Sequence, residues 1–268
     1  MTEVAANLKV MTKLVAAGND FLFLESANGI TSSLTREIVK AVCDRHFGIG
    51  ADGLVVMQPQ DESTTKWYFF NSDGSRAAMC GNAARAAAAW LKKAKAKFPH
   101  RLQTEFGTVI LNSVTSGIYS AEVNYAQRPL RQQRLSSGGV LIDTGVPHAV
   151  FEVQHDVLKM TDRNQAVPYR WPTEAGPDGA NVTFFRRASP DSIEAITFER
   201  GVEDYTLSCG TGVLAAATVA SSDNWPEAGI EVRNPGGLLR VLAPNFPRSL
   251  ILVGPAQAVF EVSHKIEL

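Results

Sequence analysis

Short apolar runs broken by turn-forming residues dominate the first part of the chain. Positions 10–14 and 21–24 are strand-length runs split by Ala17-Gly18-Asn19-Asp20, a turn signal. Leu34, Ile38, Val39 and Val42 recur at helical spacing, predicting a helix over 34–43 with N-caps among Thr31 to Ser33. The glycine-rich stretch 47–53 (FGIGADG) leads into a strand at 54–57. It lacks the Lys-Ser/Thr of a phosphate loop and reads as turn geometry. Another strand at 67–70 ends in the polar turn Asn71-Ser72-Asp73-Gly74. An alanine-rich helix with a basic end follows over 79–97. Strand patterns return at 109–111 and 119–123, then at 140–143, 149–153, 182–185 and 193–198. A second alanine-rich helix is predicted over 211–221, and four more strands at 230–233, 238–242, 250–253 and 258–261. The polar, basic segment 127–139 has no periodicity and is the best linker candidate, which places a domain boundary near Ala126.

The pattern repeats. In each half a strand runs into a polar loop, then a Cys-Gly pair, then an alanine-rich helix: Cys80-Gly81-Asn82 in the first, Cys209-Gly210-Thr211-Gly212 in the second. The two loops, 71–80 and 199–209, differ in length by one residue. Two similar halves that face each other are therefore expected.

Composition narrows the function. Of 268 residues, 26 are basic and 27 acidic, a net charge of −1 that gives no electrostatic case for nucleic acid or an anionic membrane as a partner. Charges interrupt every apolar run before it reaches membrane-spanning length, and no apolar run at the N-terminus is long enough for a signal peptide, so a cytoplasmic protein is expected. Three cysteines, Cys43, Cys80 and Cys209, are too few and too scattered for a disulfide framework. The five histidines show no ligand spacing, so no metal is expected either. Oligomeric state is not set by the sequence, and a homodimer is compatible with it.

Individual thiols at helix heads can do specific chemistry. Removing the α-proton of an amino acid leaves a carbanion stabilised only by its carboxylate, and most enzymes recruit a cofactor as electron sink. No convincing pyridoxal-phosphate site is present in the sequence, and no cofactor is expected. A cofactor-independent enzyme must surround the developing charge with preorganised donors, and helix N-termini supply them. Gly81 and Asn82 on one side, and Gly210 and Thr211 on the other, are placed to offer such N–H groups. The glycines allow close approach. The same helix ends favour thiolate, and epimerisation needs a base on one face of the carbon and an acid on the other. The rival reading treats each cysteine as a small buried apolar residue, and it is the reading adopted for Cys43. Repetition of the Cys-Gly helix head in both halves weighs against it for Cys80 and Cys209.

At these residues the chain resembles the diaminopimelate epimerases, nearly end to end. The pieces are Ala17-Gly18-Asn19-Asp20-Phe21, Gly48 to Gly53, Phe70-Asn71-Ser72-Asp73-Gly74-Ser75, Met79-Cys80-Gly81-Asn82, Pro147-His148, Ala180-Asn181-Val182, Glu199-Arg200-Gly201 and Ser208-Cys209-Gly210-Thr211-Gly212. The resemblance implies an α+β fold of two pseudo-symmetric domains, each a curled, mostly antiparallel sheet around a central helix, with the active site in the cleft between them. Residues 1–126 plus 256–268 would form the domain carrying Cys80, and 127–255 the one carrying Cys209. It implies cofactor-independent and metal-independent interconversion of L,L- and meso-diaminopimelate, an isomerase reaction that supplies lysine and cell-wall synthesis. Cys80 and Cys209 would be proton donor and acceptor, with His148 and Glu199 tuning or relaying the thiol protons. Asn19, Asn71, Gly81, Asn82, Asn181, Glu199, Arg200, Gly210 and Thr211 would bind substrate, Arg200 as a bidentate carboxylate clamp.

Two positions depart from the family pattern. Gly145-Val146-Pro147-His148 stands where many members have Gly-Asn-Pro-His, and Gly53 stands where some carry Gln. Val146 keeps open a racemase of another amino acid with the same thiol pair. A cysteine hydrolase using one thiol with His148 as base, and a non-catalytic binding module, are the readings from other classes.

Overall fold

A computed structural model describes residues 8–26, 33–222 and 224–265. Contacts divide the chain into two compact units: one runs to Ala121 and resumes at Pro255, and the other spans Glu122–Gly254. The sequence expectation put these divisions near 126 and 256.

In the first unit, β1 (Leu8–Ala16) and β2 (Asn19–Glu25) form an antiparallel hairpin. Its turn, at Ala17 and Gly18, has positive φ at both residues, the geometry that suits a tight two-residue connection. β2 pairs in parallel with β3 (Gly53–Asp61), which pairs antiparallel with β4 (Thr64–Asn71). Between β2 and β3 lies α1 (Arg36–Cys43), capped by Thr35, whose side chain accepts from Ile38 N. The expected cap residues Thr31 and Ser32 lie outside the described residues. After β4 comes α2 (Gly81–Lys93), then β5 (His100–Gln103), parallel to β4, and β6 (Thr108–Thr115), antiparallel to β5. β7 (Ile118–Asn124) leads into the second unit. The last strand, β17 (Gln257–Lys265), pairs antiparallel with β1. α2 packs against β1, β2, β6 and β17. Its alanines let the sheet close around it, with Ala83, Ala84, Ala86, Ala87 and Ala88 fully buried. α2 stops at Lys93 rather than 97, because Lys95 takes a left-handed conformation (φ 60°) that ends the helix.

The second unit repeats the ladder. β8 (Gln132–Arg134) and β9 (Val140–Asp143) are antiparallel, as are β9 and β10 (Pro147–Glu152). β10 is parallel to β11 (Asn181–Ser189), and β11 is antiparallel to β12 (Ser192–Glu199). β13 (Asp204–Thr206) adds to β12. α3 (Gly210–Ser221) then crosses to β14 (Ile230–Asn234), parallel to β12, followed by β15 (Gly237–Leu242) and β16 (Ser249–Pro255) in antiparallel succession. α3 packs against six strands, β9 to β12 plus β14 and β15. It is buried on nearly every side, as its almost wholly apolar sequence requires. Antiparallel, parallel, antiparallel, helix, parallel, antiparallel is the order in both units, an α+β repeat with one central helix each. The segment read as a linker holds β8: its polar residues pair with β9, and pairing across 132–142 gave no apolar periodicity to detect.

Candidate functional site

Both cysteines occupy N-cap positions with extended backbone, Cys80 at φ −143°, ψ 115° and Cys209 at φ −113°, ψ 110°. The first i→i−4 bonds run from Ala84 N to Cys80 O and from Val213 N to Cys209 O, each 2.9 Å. The amides of Gly81, Asn82, Gly210 and Thr211 precede those bonds, in the turn where backbone donors face out of the helix. Both cysteines are half-buried, whereas Cys43 is buried in an apolar cluster with Val39, Val42, Leu54 and Phe70. Burial pushes the Cys43 thiol up to about 12, so it stays protonated.

In the first unit the Cys80 sulfur accepts from Ala83 N at 3.5 Å. Behind it, Asn82 is fully buried, and its Nδ2 donates to Asn19 Oδ1 at 2.6 Å. Asn19 Nδ2 in turn donates to Asp52 Oδ2 at 3.0 Å. Asp52 is a hub: it also accepts from Asp20 N at 3.2 Å and from Arg45 at 2.7 Å. Asn71 ends β4 and turns its Nδ2 to Ser75 Oγ at 3.0 Å. Gly53 is required by close approach, because a Cβ there would lie 2.7 Å from Phe70 O and 2.9 Å from the Phe69 ring.

In the second unit His148 is completely buried. Its Nδ1 lies 2.9 Å from Thr183 Oγ1, its Nε2 2.9 Å from Thr211 Oγ1 and 3.3 Å from Asn181 Nδ2. Burial first, and the Arg200 charge second, hold His148 down to about 3, so the imidazole is neutral at physiological pH. Its tautomer follows from Asn181. The Asn181 Oδ1 accepts from Arg200 N at 2.7 Å, which turns Nδ2 toward His148. Nε2 is then the acceptor, Nδ1 carries the proton, and Thr211 donates to Nε2. Thr211 Oγ1 also lies 3.4 Å from the Cys209 sulfur, a contact in which either group can donate. Thr183 Oγ1 passes the pattern on to Thr197 Oγ1 at 3.0 Å. Gly212 makes room for this cluster: a Cβ there would meet Thr197 Oγ1 at 2.3 Å and His148 Cε1 at 3.2 Å. Glu199 Oε1 accepts from Thr206 Oγ1 at 2.5 Å, and Arg200 is exposed, with its guanidinium 3.5 Å from Gly179 O.

The residues singled out from sequence thus gather in two clusters: Asn19, Cys80, Gly81 and Asn82 with Asn71 nearby in one unit, and His148, Asn181, Glu199, Arg200, Cys209, Gly210 and Thr211 in the other. Sequence reasoning missed Asp52, Thr183, Thr197 and Arg85. Only Arg85 carried a signal, as a lone charge inside an alanine run. No group of three or more metal-ligating side chains was found among the described residues. No helix among them is long and apolar enough to cross a membrane.

Comparison with known proteins places the chain in a family and a fold. A family model described as diaminopimelate epimerase matches residues 11–119 and 140–258. Curated diaminopimelate epimerases are similar over most of their length. That of Aquifex aeolicus is 35% identical over 78% of this chain and 80% of its own, and that of Flavobacterium psychrophilum is 29% identical over 94% and 98%. Among solved structures, a phenazine biosynthesis PhzF-family protein of Enterococcus faecalis superposes with a TM-score of 0.68 at 13% identity (96% of this chain, 99% of that one). A hydroxyproline epimerase of Agrobacterium vitis gives 0.66 at 12% (98% and 94%). At such identities these structures establish the fold alone, whereas the family match over most of both units establishes that the chain belongs to the diaminopimelate epimerase family.

Proposed function

We propose that this protein interconverts L,L- and meso-diaminopimelate by direct proton transfer at the α-carbon, with Cys80 and Cys209 serving opposite faces of that carbon. The observation that carries the reading is the matching placement of two half-buried cysteines, each the N-cap of the central helix of its unit. Each sulfur caps its helix beside first-turn amides: Cys80 accepts from Ala83 N, and Cys209 lies 3.4 Å from the Thr211 hydroxyl. In one direction the Cys80 thiolate takes the α-proton, and the C–H electron pair passes into the carboxylate. The Cys209 S–H then delivers its proton to the other face, leaving Cys80 as thiol and Cys209 as thiolate. The first-turn amides of Gly81, Asn82, Gly210 and Thr211 stabilise the charge that develops on the carboxylate. Asn19, Asn71, Asn181 and Glu199 serve the amino and carboxylate groups, and exposed Arg200 clamps the distal carboxylate. His148, neutral and buried, holds Thr211 and through it the Cys209 proton. Glu199, held by Thr206, is the second group that tunes the thiols.

A substrate panel tests this. Incubated without cofactor, L,L-diaminopimelate should yield the meso isomer on chiral chromatography, and lysine and ornithine should stay unchanged. Racemisation of lysine or ornithine with no conversion of diaminopimelate would favour the reading that Val146 suggests, a racemase of another amino acid.

A further inference from the structure

Arg85 lies on α2 one turn beyond Cys80 and is 0% exposed. A buried guanidinium normally needs an anion beside it, because desolvating an unpaired charge is costly. Among the described residues no carboxylate pairs with it. Its contacts are the Asn82 Oδ1, to which one terminal nitrogen donates at 2.8 Å, and Gly81 O at 3.4 Å, and its Nε has no partner.

Three bonds then run the same way: Arg85 to Asn82, Asn82 to Asn19, and Asn19 to Asp52. A cation at one end and a carboxylate at the other fix each amide's orientation, and bonds aligned in this way reinforce one another. The corresponding residue after Cys209 is Leu214, fully buried and uncharged. No acidic group on the strands packed against α2 pairs with Arg85 among the described residues. Lys13 of β1 pairs with Asp20 of β2 at 2.7 Å, Glu261 of β17 pairs with Lys93 at the far end of the helix, Glu25 is exposed, Lys9 of β1 and His264 of β17 are half-buried, and β6 carries none. Beyond these strands Arg45 holds Asp20 and Asp52, Arg36 of α1 holds Asp73, and Arg76 holds Glu105.

We propose that Arg85 is a positioning residue for Cys80: its buried charge favours the thiolate, and its fork locks the Asn82 and Asn19 amides that face the same helix head. Burial holds the guanidinium down to about 10, so it remains charged at neutral pH, and a thiolate at Cys80 would offset part of that burial. The inference rests on the two-thiol reading for its functional meaning, but its test needs no substrate.

The full-length protein is alkylated with iodoacetamide from pH 5 to 10, and each thiol is followed by peptide mass spectrometry, with Cys209 as internal reference. In R85Q the amide can still donate to Asn82 but the charge is gone, and Cys80 should react about tenfold more slowly at pH 7 with its profile displaced upward. Cys209 should stay within about twofold, and R85K, which keeps the charge, should leave Cys80 within about threefold of wild type. An unchanged Cys80 profile in R85Q, or equal slowing of both thiols, overturns the proposal. If R85Q fails a circular dichroism check of folding, R85K decides: a wild-type Cys80 profile supports the role, and one displaced as far as a full pH unit overturns it. Because only thiol reactivity is read, a protein that failed to convert diaminopimelate would still give a decisive answer here.

Discussion

Behind Cys80, a buried arginine, two asparagines and an aspartate form a chain with charge at both ends. Behind Cys209 the matching helix position is Leu214, and the helix head is backed instead by a neutral imidazole and three threonine hydroxyls. The strands before the two loops end in Asn71 and Glu199 and the helices begin alike, yet Cys80 Sγ accepts from a backbone amide while Cys209 Sγ meets the Thr211 hydroxyl. The repeated backbone therefore supplies two helix heads, and the side chains behind them differ in charge and in hydrogen-bonding groups. A two-thiol epimerase needs one thiolate and one thiol, since two thiolates or two thiols would leave the carbon without an acid or without a base.

The strongest way to break the comparison is to remove either sulfur. Cys80→Ala and Cys209→Ala should each lower kcat by about a thousandfold, measured by coupled assay or chromatography. A loss confined to one of them would mean that the other half-site is structural.

The next effect concerns acid. Because burial depresses the folded-state value of His148 to about 3, the unfolded chain binds the extra proton first as pH falls. The stability this group contributes is complete above the ordinary imidazole value. It should be lost at roughly 1.4 kcal/mol per pH unit from about 6.5 down toward 3. Urea titrations of the wild type and His148→Gln at pH 7 and pH 5 check this, with the variant showing the shallower pH dependence.

Steric differences between the helix heads come third. Position three after the cysteine is Ala83 in one unit and Gly212 in the other. Gly212→Ala forces a Cβ into Thr197 and His148 and should cost about 1–3 kcal/mol, read as a lower Tm by calorimetry. The smallest effect is expected at Cys43. Cys43→Ala should leave kcat unchanged and cost only about 1 kcal/mol of stability, and wild-type Cys43 should resist alkylation throughout the neutral range.

Much of this was legible from sequence. The repeated Cys-Gly helix heads, the two alanine-rich helices and the apolar strands follow from spacing alone. β5 (HRLQ), β8 (QQR) and β13 (DYT) did not show, because three or four mostly polar residues carry no period and are strands only through their partners. The N-cap at Thr35 was misplaced because several Ser and Thr residues precede the helix, and spacing does not choose among them. The Asp52 hub was invisible for another reason: it joins Asn19 across 33 residues, a contact made by the parallel pairing of β2 with β3. His148 could be singled out as a residue, but its neutrality and tautomer depend on threonines and a backbone amide brought together from three strands and a helix.

The central claim is that one thiol takes the proton and a different thiol returns one. Conversion of L,L-diaminopimelate in deuterium oxide, followed by mass spectrometry over the first few per cent of reaction, tests it most directly. Two thiols predict meso product carrying one solvent deuterium at the inverted carbon while the remaining substrate stays unlabelled. Meso product that keeps the substrate's own hydrogen would mean a single group abstracts and returns the proton, and would contradict the account.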